Sequence, residues 1–173
     1  AIQALYGANT TTRTGDTVYG FNSTAGKDVF NFAVNVDPII AIWDAGGSHD
    51  CLNASGYATN QVINLRAEAF SDIGKLTKNV TIAAGVVIED AVGGGGADKI
   101  YGSAGSNRLS GNAGNDIING YEGSDLLWGG LGFDALNGGT ENDILTGGLG
   151  RDYMTGGLGL DDLPLCAGGL NPR

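Results

Sequence analysis

The chain is 173 residues long and carries 19 acidic against 9 basic side chains, for a net charge of −10. That balance excludes nucleic acid as a partner, because nothing in it forms a basic stripe, and no apolar run approaches the roughly 20 residues that span a membrane. The single histidine, His49, excludes a self-contained hydrolytic zinc centre, which takes about three protein ligands and an open position for water.

Residues Ala1 to Ala8 lack the charged start and long apolar core of a signal peptide. Ala1 to Tyr6 fit a short helix stopped by Gly7. From residue 10 to residue 92 the pattern is mostly β. Phe30, Phe32, Val34 and Val36 alternate with Asn31, Ala33 and Asn35 like a half-buried strand, and the apolar run Ile39 to Trp43 follows. Glycine-containing turns at Thr14 to Asp16 and Asp44 to Ser48 separate such runs, and a second helical candidate lies near Leu65 to Phe70. The segment is expected to cap the solenoid that follows.

Residues 93 to 164 divide without a gap into eight nine-residue units of the form G-G-x-G-x-D-x-U-x, where U is a large aliphatic residue. The first position is Gly in every unit, from Gly93 to Gly156. The eighth is Ile100, Leu109, Ile118, Leu127, Leu136, Leu145, Met154 and Leu163, and the sixth is Asp except at Asn107. This nonapeptide is similar to the calcium-binding parallel β-helix repeat of RTX proteins. In physical terms, six residues of each unit make a turn and three a short strand, so only the eighth side chain points inward. Units n and n+2 then stack on one edge about 4.8 Å apart. One column of turns carries Asp98, Asp116, Asp134 and Asp152; the other carries Asn107, Asp125, Asp143 and Asp161.

Carboxylates stacked about 5 Å apart repel by roughly 1 to 3 kcal/mol per pair, and a divalent ion between them reverses the sign. Calcium takes about six to eight oxygen ligands, more than one such turn offers, so two turns must share each ion. One aliphatic side chain per unit is a small core for so long a tract. The tract is therefore expected to be unfolded without calcium and folded with it. Asn107, which removes a charge, and Glu141, which replaces a fourth-position Gly, are expected to weaken or abolish sites that use them.

Four further segments carry a family resemblance: Ala1 to Ala8 (AIQALYGA), Thr12 to Asn22 (TRTGDTVYGFN), Ile42 to Gly47 (IWDAGG) and Val87 to Glu89 (VIE). In order and spacing they resemble the serralysin family of secreted bacterial zinc metalloproteases, and with the repeats the resemblance reaches to about residue 164. It implies the C-terminal half of such a protease, an all-β, calcium-loaded parallel β-roll associated with folding after export by a type I secretion system. The implied layout is the end of a protease-domain helix at 1–9, a β-rich cap at 10–92, the roll at 93–164 and an atypical tail at 165–173. The family's catalytic H-E-x-x-H-x-x-G-x-x-H is absent from this sequence. The implied cofactors are several calcium ions here, with zinc only in the missing catalytic half. The implied partners are that N-terminal protease domain and a further C-terminal region, and the implied location is extracellular.

The resemblance also implies a ligand set. Each ion in the repeats would take backbone oxygens of positions two and four with the Asp of one turn, and positions one and three with the Asp two turns on. In the first column that gives Gly94, Gly96 and Asp98 with Gly111, Ala113 and Asp116; Asn112, Gly114 and Asp116 with Gly129, Leu131 and Asp134; and Gly130, Gly132 and Asp134 with Gly147, Leu149 and Asp152. In the second it gives Tyr121, Gly123 and Asp125 with Gly138, Thr140 and Asp143, then Gly139, Glu141 and Asp143 with Gly156, Leu158 and Asp161. Before the repeats, the carbonyls of Arg13, Gly15 and Thr17 with Asp44 and Gly46 form one further implied site, and Gly47, Val87 and Glu89 another. At the last, His49 stands where the family has Asp and Val87 where it usually has Thr; a register shift to Asp50, one residue on, would restore the carboxylate.

The tail from Leu165 to Arg173 does not resemble the family, so the chain reads as an internal fragment. Outward positions of the even units place Leu126, Trp128 and Ile144 in an apolar strip, the kind of patch that a covering segment would bury. Cys51 and Cys166 make no disulfide framework and are expected to be unpaired. The competing classes are a β-roll of another secreted enzyme such as a lipase, and a module of an adhesin or toxin; the motifs at Arg13 to Asn22 and Ile42 to Gly47 favour the protease.

Overall fold

The computed structural model describes residues 13–164; the helix expected at Ala1 to Tyr6, the tail from residue 165 and Cys166 lie outside them. The described chain is built from short strands: β1 (Val18–Gly20), β2 (Ile40–Ile42), β3 (Cys51–Asn53), β4 (Val62–Asn64), β5 (Phe70–Ser71), β6 (Val80–Ile82), β7 (Asp90–Val92), β8 (Lys99–Tyr101), β9 (Arg108–Ala113), β10 (Ile117–Tyr121), β11 (Leu126–Leu131), β12 (Ala135–Thr140), β13 (Ile144–Leu149) and β14 (Tyr153–Leu158). Successive repeat strands alternate between two parallel sheets, ordered β1-β3-β7-β9-β11-β13 and β14-β12-β10-β8-β4. A small third sheet, β2-β6-β5, has its β5 edge antiparallel. The architecture is an all-β parallel β-roll.

Register follows the eighteen-residue step that two nonapeptides dictate. Leu109, Leu127 and Leu145 pair in one sheet, and Ile100, Ile118, Leu136 and Met154 in the other. All are buried, while their outward neighbours Leu126, Trp128 and Ile144 are exposed on the outer face. A period of two along each strand produces this division. From β9 onward the strands are longer than the three residues expected from the unit, because pairing continues into the first positions of the next unit, as in Gly130 with Gly148 and Leu131 with Leu149. The turn proper is correspondingly shorter.

The sheet does not begin where the repeat begins. Tyr19 of β1 pairs with Leu52, Leu52 with Ala91 and Ala91 with Leu109, so one inward column crosses from the cap into the roll without a break. Ile63 of β4 joins the other column by pairing with Ile100. Around these rungs the cap adds its own core of Phe32, Ile42, Leu65, Ile73, Ile82 and Ile88, all fully buried.

Two sequence expectations fail in the cap. Phe30 to Val36 is not a strand: Asn31 Oδ1 accepts the Ala33 N–H, and the N–H groups of Val34 and Asn35 return to the Asn31 carbonyl. This Asx-type turn satisfies the backbone locally and leaves Val34 and Val36 exposed. Leu65 to Phe70 is not helical either. Leu65 N–H pairs with the Tyr101 carbonyl and Glu68 takes φ 64°, which turns the chain into β5. The expected strand at Ile39 to Trp43 forms as β2.

Candidate metal centre

The sixth residue of each unit lies two before the inward aliphatic and therefore points into the turn between the sheets. Asp98, Asp116, Asp125, Asp134, Asp143 and Asp152 are all buried. Each turn is tied to the next in its column by one repeated bond, from the main-chain N–H of one sixth residue to Oδ1 of the sixth residue eighteen positions on. The distances are 2.7 Å for Asp98 to Asp116, 2.8 Å for Asp116 to Asp134 and 3.0 Å for Asp134 to Asp152. In the second column they are 2.8 Å for Asp125 to Asp143 and 3.1 Å for Asp143 to Asp161. The structure thus brings together every carboxylate pair that the ligand set requires.

The other carboxylate oxygen is the informative one. Oδ2 of Asp116, Asp125, Asp134, Asp143 and Asp152 is buried and has no hydrogen-bond donor. An unpaired charge in such a place is costly. Burial pushes Asp116 and Asp125 up to about 7 and Asp134 to about 6; the N–H bond at Oδ1 offsets part of this, and the neighbouring carboxylates in the column raise it further. Burial raises Asp98 and Asp143 as well. Asp98 differs in one respect: its two oxygens accept the N–H groups of Gln61 at 2.7 Å and Gly94 at 2.6 Å. Among the described residues no three His, Cys, Asp or Glu side chains converge on one point, so a cation here would take its remaining ligands from main-chain oxygens. An all-oxygen set of paired carboxylates and carbonyls is the chemistry of a hard cation such as calcium. The residues present fit it.

The fourth-position carbonyls form a continuous stack. A Cβ on Gly132 would fall on the Gly114 carbonyl, one on Gly150 on that of Gly132, and one on Gly159 on that of Glu141. These positions lie at positive φ, between 119° and 151° for Gly114, Gly132, Gly150 and Gly159. Glu141 takes φ 78° and keeps its carbonyl in the stack. The substitution strains the turn, by about 1–2 kcal/mol, without redirecting its backbone.

The pattern reaches beyond the repeats. Thr17 N–H donates to Asp50 Oδ1 at 2.7 Å and Asp50 N–H to Glu89 Oε2 at 2.9 Å, the same bond on the same edge. Asp50 is buried, its Oδ2 has no donor, and burial together with the charges of Asp44 and Glu89 lifts it to about 6. Gly47 lies against the Asp50 carboxylate. The carboxylate beside Gly47 and Glu89 is therefore Asp50, while His49 points outward, its Nδ1 3.7 Å from Asp90 Oδ2. Val87 exposes its side chain. The signal that locates Asp50 is its place two residues before inward Leu52, which Thr17 shares with Tyr19, Gln61 with Ile63 and Glu89 with Ala91.

At the first implied cap site, Arg13 O accepts the Ala45 N–H at 3.4 Å and Thr17 Oγ1 donates to Gly15 O at 3.0 Å. Asp44 Oδ1 accepts the Gly46 N–H at 3.2 Å and its Oδ2 accepts the Tyr19 hydroxyl at 2.5 Å. These bonds place Arg13 beside Ala45, Gly15 beside Thr17, and Asp44 beside Gly46 and Tyr19. Among the described residues Cys51 has no disulfide partner, and burial, with Asp90 and Asp50 nearby, pushes its thiol up to about 12, away from the reactive thiolate.

Comparison with known proteins agrees with this architecture. A family model described as the peptidase M10 serralysin C terminal matches residues 8–155. The chain belongs to the serralysin C-terminal family. It is 54% identical over 103 residues to Serralysin G of Dickeya chrysanthemi, covering 59% of this chain and 22% of that protein. Metallopeptidase AprA of Pseudomonas marginalis is 53% identical over 103 residues, with 59% and 21% covered, and Serralysin of Proteus mirabilis is 54% identical over 103 residues with the same coverage. The chain matches about a fifth of the length of these serralysin relatives. No helix among its described residues is long and apolar enough to cross a membrane.

Proposed function

We propose that the chain is the calcium-binding β-roll of an extracellular serralysin-type zinc metalloprotease, a module that folds on binding calcium and stabilises the parent enzyme without being proteolytic itself. The observation that carries this reading is the row of buried, donorless Oδ2 atoms from Asp116 to Asp152. A turn that buries a carboxylate oxygen against stacked carbonyls is poised for a cation and strained without one. Asp116 with Asp134, and Asp125 with Asp143, would hold ions together with the carbonyls of positions one to four of the paired turns. Asp50 would join Gly47 and Glu89 in the cap. Bound calcium supplies positive charge between the turns; zinc belongs to the catalytic half that this sequence lacks, and export by a type I system follows from the family resemblance.

Calcium titration of the 173-residue chain followed by circular dichroism tests the proposal. A β signal that grows with calcium and is lost on chelation is expected. An equal β signal with chelator present overturns it.

A further inference from the structure

The links between turns in the roll run one way, from an upper N–H to a lower carboxylate oxygen, and leave the second oxygen bare. The link between Glu89 and Asn107 runs the other way. Asn107 Nδ2 donates to the Glu89 carbonyl at 2.9 Å, and Asn107 Oδ1 accepts the Ser103 N–H at 2.8 Å. One partner is a main-chain acceptor and the other a main-chain donor, so flipping the amide would lose both bonds and its orientation is fixed. Nδ2 also reaches Ser103 Oγ at 3.1 Å. Glu89 N–H donates to the Asp50 carbonyl at 3.1 Å and not to the turn below, and the Glu89 carbonyl accepts the Asn107 amide in addition to the ordinary rung bond from Arg108 N–H at 3.3 Å. Asn107 is as deeply buried as the Asp residues of the roll, yet it has no donorless oxygen.

Two oxygens facing each other across a turn need positive charge between them. At the Asp pairs a cation meets that need; at this junction the hydrogens of an amide do. We infer that the junction between Glu89 and Asn107 takes no calcium and is stapled by the Asn107 amide in the ion's place. The second column is therefore divided into a cap ladder of Thr17, Asp50 and Glu89 and a roll ladder that begins at Asn107, whose own N–H donates to Asp125 Oδ1 at 2.8 Å. The first column runs from Asp98 to Asp152 with no such division. This inference rests on the calcium reading of the other turns and specifies which turn pair is exempt from it.

Counting the calcium bound per chain at saturation, by equilibrium dialysis and atomic absorption, tests the inference on the wild-type chain, Asn107→Asp and Asn107→Ala. Thermal midpoints across a calcium series accompany the counts. In Asn107→Asp an oxygen meets the Glu89 carbonyl, so the variant binds about one ion more than the wild type. Its midpoint also lies below the wild type's at low calcium and recovers as calcium rises. Asn107→Ala keeps the wild-type count and is less stable by the same shift at every calcium concentration. The inference is overturned if Asn107→Ala binds fewer ions than the wild type, or if Asn107→Asp gains none and its deficit does not shrink with calcium. A wild-type chain that takes up no calcium overturns the calcium reading itself, a result distinct from either.

Discussion

The cap and the roll are threaded on the same two sheets but are held together differently. The cap buries Tyr19, Phe32, Ile42, Leu65, Ile73 and Ile82 in a many-sided core, and its loops return their polar groups to the main chain, as Asn79 does through its bonds to Pro38 and Ile73. The roll buries one aliphatic side chain per rung and, beside it in the rungs of Asp116, Asp125, Asp134, Asp143 and Asp152, a carboxylate with a bare oxygen. Apolar burial stabilises at any calcium concentration, whereas a buried anion column is stable only when something neutralises it. A continuous sheet can therefore contain regions with different dependence on solvent ions.

The largest expected effect separates the two regions. On removal of calcium at neutral pH, amide exchange should accelerate by orders of magnitude across β10 to β14, while Ile42, Ile63 and Ile82 in the cap keep their protection, as local stability follows local burial. Hydrogen exchange read by mass spectrometry, with and without calcium, checks this. Uniform loss across both regions would mean that the cap has no stability of its own, and uniform retention that the roll needs no ion.

How much of this was legible in the sequence follows from the same contrast. In the roll every side chain has one role per position, so the period alone located the inward aliphatics, the eighteen-residue register and the paired Asp columns. In the cap the rungs are present but the loops between them vary: β1 is followed by some thirty residues before β3, and β3 by only a short loop before β4. The period is thus hidden: spacing along the chain did not place Gln61 on its turn, and it reached Asp50 only as a one-residue shift from His49. The alternation at Phe30 to Val36 was misleading because one Asn side chain closed a turn that hydrophobic pattern does not encode. Asn107 was legible as a departure, but its reversed hydrogen bond depends on how Glu89 presents its backbone, which only the fold supplies.

The second expected effect is a reversal of pH dependence. Burial raises the carboxyls of Asp116, Asp125 and Asp134 from an ordinary value of 3.8 to about 6 or 7 in the metal-free fold. A group whose folded pKa is raised contributes stability that is fully present below its unfolded pKa and is lost as pH rises through the folded one. In buffer stripped of divalent ions on a chelating resin, the thermal midpoint should therefore fall between about pH 4 and pH 7, by about 2–4 °C per kcal/mol lost. With saturating calcium the slope should invert, because protons compete with the ion for the same oxygens. Scanning calorimetry at several pH values distinguishes the cases, and parallel slopes with and without calcium would rule out the carboxylate columns as the site of binding.

The smallest effect separates two neighbouring residues. His49 sits where the family resemblance implies an Asp, but the structure gives that turn to Asp50, whose Oδ1 holds the Thr17 N–H and whose Oδ2 faces no donor. His49 retains a long contact of 3.7 Å to Asp90 with its side chain 43% exposed, and a surface contact so placed contributes within about 1 kcal/mol. His49→Ala should accordingly leave calcium uptake unchanged and move the thermal midpoint little. Asp50→Ala should lose one calcium-dependent increment of stability and free the Thr17 N–H from its partner, so its deficit should widen as calcium is added. Were His49→Ala to be the variant that widens with calcium, the one-residue shift would be misassigned and the cap turn would be built around imidazole, a ligand that calcium disfavours.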